Sequence, residues 1–287
     1  AGFSAGNRYL KDRLGVLLAA SFQNAYKGNN SLFFESSVVD TLKGVTLTSM
    51  KKRNYSEQEL RYAVYSKIDY KLKGRDKIQF YNSFFNLTDF QVRDTKSTFL
   101  TIGGYDPVNG NATLEYDTRS RTTKQNICNS TLQGDHHLSH NLKLNWSAVY
   151  SWAMRDQPDN ATVVLNGEEK NFSSIKTTVD NGWRRWEHNT DRDLTGYINL
   201  NYYKPIASLP VEWMIGGLYR DKKRNNFYNE YEFRPVDPYE RYGGDFNDYQ
   251  QIQWVVENPR GSVGTSLNYT SFEKINAEFL QFKTSLK

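Results

Sequence analysis

From Leu142 to Trp152 the chain alternates with a period of two. Leu142, Leu144, Trp146, Ala148, Tyr150 and Trp152 fall on one side; Lys143, Asn145, Ser147 and Ser151 fall on the other, with Val149 the one apolar exception. Successive side chains of a strand point to opposite faces, so this segment has one apolar face and one polar face. The same rhythm stops and restarts along the chain. Each recurrence is long, and long two-faced strands with aromatic ends are what a membrane-spanning barrel wall needs.

The recurrences set out an antiparallel meander of about nine strands. The first covers residues 1–9, the second 13–27, the third 58–72 and the fourth 77–92. A weakly patterned fifth runs from 112 to 133, followed by strands at 142–155, 189–203 and 209–231 and a last one from Ser271. In the third strand Leu60, Tyr62, Val64, Ile68 and Tyr70 oppose Arg61, Lys67, Asp69 and Lys71. Between them the turn at 73–76 carries Gly74, suited to a positive φ. Polar stretches at 28–57, 93–111, 157–188 and 232–270 read as long loops. Short and long connections then alternate, as in outer-membrane barrels with short turns on one side and long loops on the other.

Composition agrees with a wall of this kind. Hydrophobic residues are 38% and aromatics 15% of the 287 residues, and mean hydropathy is −0.75. A barrel strand needs only every second residue apolar. No apolar run reaches the roughly 18 residues of a spanning helix. The net charge of +5 is spread along the chain rather than clustered, so no nucleic-acid surface is expected. One cysteine, Cys128, leaves no intrachain disulfide framework. A chain that starts and stops inside strands reads as part of something larger.

The segment Ala5-Gly6-Asn7-Arg8-Tyr9-Leu10-Lys11-Asp12-Arg13-Leu14-Gly15 resembles the early barrel hairpin of TonB-dependent outer-membrane receptors of the Bacteroidetes type. Phe272-Glu273-Lys274-Ile275-Asn276-Ala277-Glu278-Phe279 is similar to a mid-barrel strand of that family. The resemblance implies an all-β fold, with residues 1–287 forming part of a transmembrane β-barrel, a domain truncated at both ends and without the plug. Complete receptors of this type close roughly 22 strands around a plugged lumen. It also implies residence in the bacterial outer membrane and uptake of a scarce nutrient such as a siderophore, a cobalamin or a glycan. The implied partners are outer-membrane lipid, a plug domain and TonB through a region outside this chain, the small-molecule or glycan ligand, and a surface lipoprotein. A passive porin or adhesin barrel and a soluble carbohydrate-binding β protein remain as alternatives.

Within that frame Leu144, Trp146, Trp152, Ile198, Leu200, Trp213 and Ile215 are expected to face lipid, and Lys67, Asp69, Lys71, Lys143, Asn145, Glu212 and Arg220 the lumen. Trp183-Arg184-Arg185-Trp186 is the foremost ligand-contact candidate, since indole stacks on rings and guanidinium pairs with carboxylates. Tyr239, Tyr242, Tyr249 and Trp254 are further loop candidates. His136, His137 and His140 sit at a polar turn without a defined ligand set and read as solvent-facing. Asp191, Asp193, Asp245 and Asp248 lack the spacing of a calcium loop and read the same way. No nucleophile elbow, phosphate loop or dinucleotide fingerprint occurs, so no catalytic residue, metal or cofactor is expected.

Overall fold

The computed structural model describes residues 1–40, 42, 44–206, 209–241, 248–260 and 267–284. It holds one antiparallel sheet. The strands are β1 (Gly2–Tyr9), β2 (Leu14–Asp40), β3 (Gly44–Lys71), β4 (Lys77–Phe99), β5 (Ala112–Ser139), β6 (Leu142–Lys170), β7 (Ser173–Tyr203), β8 (Val211–Pro235), β9 (Trp254–Arg260) and β10 (Tyr269–Thr284). A single helical turn, α1 (Asp248–Gln251), precedes β9. Strands β1 to β8 and then β10 pair in chain order, while β9 pairs with the end of β8. The described sheet is therefore an open up-and-down meander with β1 and β10 at its edges.

Several expected loops are corrected to strands. Residues 28–57 fall in the outer half of β2, which ends at Asp40, and the first half of β3, which begins at Gly44, with Gly28 paired to Ser56 and Phe34 to Met50. Residues 157–188 form the β6–β7 hairpin, turning at Asn171 and Phe172. Strand β4 runs on to Phe99 and β5 to Ser139. At one end of the sheet, the far end, only the connection 100–111 and the stretch 236–268, which holds α1 and β9, are long, so the expected contrast in loop length is mostly one of hairpin reach. The near-end turns are short, and Gly74 has φ +68° there, as its turn requires.

Register sorts the side chains onto two continuous faces. Trp146 stands level with Ile198 on one side and with Gly134, Ile78, Tyr70 and Leu14 on the other. Leu144 is level with Leu200 and Ile215, and Leu142 with Tyr202, Trp213 and Phe282. Much of this face is open, with Ile198 54% exposed, Ile215 57% and Leu280 71%, while Leu142, Leu144, Trp146 and Leu200 are half-buried. The apolar stretch slides from strand to strand. Trp152 is level with Phe84, Val64, Ala20 and Phe3 toward β1, but with Arg192 and Lys223 toward β8. The band thus runs obliquely to the strands, which is the geometry of strands tilted with respect to a flat apolar layer.

Trp146 also lies across Gly134, whose missing side chain makes room for the indole; a Cβ there would run into the ring. Gly134→Val is expected to lower stability by about 1–3 kcal/mol through overpacking, read by thermal unfolding.

The opposite face is polar and crowded. Glu59, Asp69, Asp89, Arg93, Asp135 and Glu187 all have side chains at most 23% exposed. Long charged side chains thus cover one another on this face, while many apolar ones on the other face are open. The conventional core is small: Leu165, Val179 and Ile252, with Tyr116, Val163 and Trp254 packed around them. It lies at the far end, where Ile252 and Trp254 pack against the apolar side of β5 to β7. The Val179 N–H donates to the Glu240 carbonyl there.

Candidate functional site

All seven residues expected on the polar side, Lys67, Asp69, Lys71, Lys143, Asn145, Glu212 and Arg220, share one face by register. All seven expected on the apolar side, Leu144, Trp146, Trp152, Ile198, Leu200, Trp213 and Ile215, share the other. Near the turns the polar face is tied by ion pairs. Arg8 reaches Asp69 at 2.7 Å, Lys77 reaches Asp135 at 3.2 Å, and Arg220 meets both Asp193 and Glu273. Arg224 holds Asp191 through two bonds of 2.7 Å. Asp191 and Asp193 are therefore engaged with arginines.

The histidines do not converge. The His136 ring stacks on Trp146 at 6.4 Å between centroids, while His137 contacts Asp76 at 3.2 Å and His140 stands in the β5–β6 turn. The His137 backbone N–H donates to the Asp76 carboxylate at 2.7 Å, and this bond draws the carboxyl below its ordinary range. Among the described residues no group of three or more His, Cys, Asp or Glu side chains could hold a metal ion.

Pleating divides the quartet 183–186. Trp183 and Arg185 lie on the polar face; Arg184 and Trp186 lie on the other. Arg184 pairs with Asp159 at 2.6 Å and stacks over Trp186, which meets Tyr231 edge-on. Tyr239 is 80% exposed, and Trp254 packs on the small core. Tyr249 falls in α1. Tyr242 and Asp245 lie outside the described residues, and Asp248 opens α1.

Trp183 and Arg185 border a cleft of about 550 Å³ in the far half of the polar face, lined also by Arg93, Asp117, Arg119, Asn160, Thr162 and Glu230. Arg93, Arg119, Thr162, Trp183 and Glu232 form one level row of it, and Asn160, Arg185 and Glu230 stand one row nearer the turns, in line with Gln91 and Arg121, which flank the cleft without lining it. A bulge between Gln157 and Asn160 keeps these residues of β6 aimed at the cleft. One wall is arginine-rich, the other carries the indole, and small Thr162 and Asn160 form the floor between.

The charges on the second wall are satisfied. Arg185 donates to Glu230, which also accepts from the Tyr228 hydroxyl at 2.9 Å, and Arg234 pairs with Glu232 at 3.1 Å. The first wall is different. Arg93 pairs with Asp117 at 2.9 Å and Arg121 approaches Asp89 at 3.6 Å. Arg119 donates to the neutral Gln91 amide oxygen at 2.6 Å, and among the described residues no carboxylate comes within ion-pair distance of it. The Nε groups of Arg93, Arg119 and Arg121 are buried without a hydrogen-bond acceptor in the protein.

Sequence patterning did not single out Arg93, Arg119 or Arg121. The spacing Arg119-Ser120-Arg121 in a strand places both guanidinium groups on one face, and that was the available signal. No family model, curated protein or solved structure matches this sequence. The site therefore rests on its geometry.

Proposed function

We propose that this sheet is part of the wall of a transmembrane β-barrel, and that the barrel is an outer-membrane receptor of the TonB-dependent kind that takes up a scarce nutrient. The observation that carries the first step is the oblique, largely exposed apolar band shared by nine strands, β1 to β8 and β10. Soluble monomers rarely expose contiguous apolar patches above a few hundred Å². Lipid removes that penalty, and a band oblique to the strands is what tilted strands need to stay level with a bilayer. The second step rests on the resemblance of residues 5–15 and 272–279 to that family and on a wall whose inner face carries a ligand-sized cleft. In this reading the polar face lines the lumen, the near-end turns lie in the periplasm and the far-end hairpins reach outside the cell. Siderophore, cobalamin and glycan remain the candidate nutrients, with a plug, TonB and a surface lipoprotein as partners.

The test uses cysteine scanning in a background in which Cys128 is replaced by serine. Single cysteines at Leu144, Ile198 and Ile215 are expected to resist a membrane-impermeant maleimide in vesicles and to react with a lipid-soluble one. Cysteines at Lys143, Tyr197 and Met214, one residue away on the other face, are expected to react with the impermeant reagent. Equal labelling of both sets would remove the membrane assignment and favour a soluble ligand-binding β protein. A passive barrel would give the same labelling pattern but show no energy-dependent accumulation of any nutrient.

A further inference from the structure

The arginine wall of the cleft is not accounted for by the fold. Arg93 and Arg119 are directly paired across β4 and β5, and Arg121 is the next residue on that face. Like charges directly opposite one another destabilise a sheet. Three buried Nε–H donors without acceptors add to that cost, because an unmet donor forfeits its hydration. Asp117 and Asp89 offset two of the cations, and Gln91 contributes only a neutral oxygen to Arg119 and Arg121. Gln91 is itself held, since its amide donates to Glu57 at 3.2 Å. The lining has four arginines, Arg93, Arg119, Arg185 and Arg234, against three carboxylates, Asp117, Glu230 and Glu232, and the excess sits at Arg119.

The rest of the cleft has a complementary shape. Thr162 stands level with Arg119 and Trp183 and separates them by two strand spacings, about 10 Å at the backbone. Long side chains on either side of a short one leave a slot between a cationic wall and an aromatic wall. Asn160 Oδ1, buried and without a donor, lies on its floor. Guanidinium groups bind carboxylate and phosphate through paired N–H donors, and indole offers a flat apolar surface.

We propose that Arg93 and Arg119, with Arg121 adding positive charge from the adjacent rung, hold the carboxylate or phosphate group of a small ligand, whose ring rests on Trp183 across Thr162. This deepens the receptor reading by naming a ligand class, and rests on that reading only in placing the slot inside a barrel. The anion would fill the unused donors and relieve the opposition of the arginines. Elsewhere on this face several arginines are met by carboxylates, such as Arg220 by Asp193.

The experiment is calorimetric titration of the full chain in detergent micelles with phenyl phosphate, alongside inorganic phosphate and phenol. Phenyl phosphate is expected to bind at one saturable site, at least tenfold tighter than inorganic phosphate, with phenol silent. Arg119→Gln should weaken phenyl phosphate at least tenfold and leave the melting temperature unchanged or raised, since it removes a repulsion. Thr162→Phe should abolish binding by filling the slot, and Trp183→Ala should bring phenyl phosphate down to the level of inorganic phosphate. Absence of saturable binding, undiminished binding by Arg119→Gln, or a lowered melting temperature in that variant would each overturn the proposal. Cysteine labelling is independent of this outcome: lipid-type labelling without phosphate binding removes the slot alone, and phosphate binding with labelling of both faces removes the barrel alone.

Discussion

Ile198→Lys is expected to block folding into membranes, while Tyr197→Lys next to it is tolerated. Ile198 lies at the centre of the apolar stretch of β7, between Leu194 and Tyr202, and is level with Trp146 and Gly217. Its side chain is 54% exposed, so it has little packing to lose. In water, a lysine at an exposed strand position changes stability by about 0.5 kcal/mol or less. At the midplane of a bilayer the same lysine costs about 2–4 kcal/mol. Tyr197 is also exposed, at 38%, but faces Ser147 and Leu218 on the polar side, where an ammonium group stays hydrated. The substitutions therefore differ by one residue and by one solvent. The measurement is the folded fraction after dilution from urea into lipid vesicles, read from the shift in electrophoretic mobility between heated and unheated samples. Equal folding of the two variants would mean that both faces meet water.

Period-two patterning was legible where the two faces meet different surroundings. Leu142–Trp152, Leu60–Tyr70 and the start of β2 all fall inside the oblique band, and the strand positions and faces read from them agree with the register. Patterning failed at 28–57 and 157–188 for a physical reason. Beyond the band both faces of a hairpin carry polar side chains, as with Asn29, Asn30 and Ser31 facing Tyr55, Asn54 and Arg53. The backbone ladder satisfies its own hydrogen bonds and needs no apolar rhythm, so an extended wet hairpin has the composition of a loop. The strand β5 shows both regimes, with Leu132 and Gly134 inside the band and Arg119, Arg121 and Thr123 beyond it. The candidate site was half visible for the same reason. Trp183 and Arg185 stood out by residue type, but their alternation with Arg184 and Trp186 could be used only once residues 183–186 were known to be strand. The arginines opposite come from strands distant in sequence and meet through pairings that no local window contains.

Excising residues 161–184 and joining Asn160 to Arg185 through Asn-Gly is expected to leave membrane insertion intact and to abolish binding of phenyl phosphate. Asn160 and Arg185 are paired across β6 and β7, so a two-residue turn can close the shortened hairpin at that rung. The excised part carries Thr162 and Trp183 from the cleft and Leu165 and Val179 from the small core. Ile252 and Trp254 then lose their seat, and the segment before β9 should become open to proteases. The apolar band is untouched, because on β6 it ends near Met154 and on β7 it starts near Leu194. Local stability in a long meander is set mainly by neighbouring strands, so loss of one projecting hairpin need not propagate to the rungs below. Heat-dependent mobility in vesicles should match that of the intact chain, with calorimetric heats at the level of phenol. Failure of the shortened chain to insert would make the far half part of the folding unit. The rungs above the band would then stabilise the wall itself, and the arginine opposition within them would have to be offset by packing rather than by a ligand.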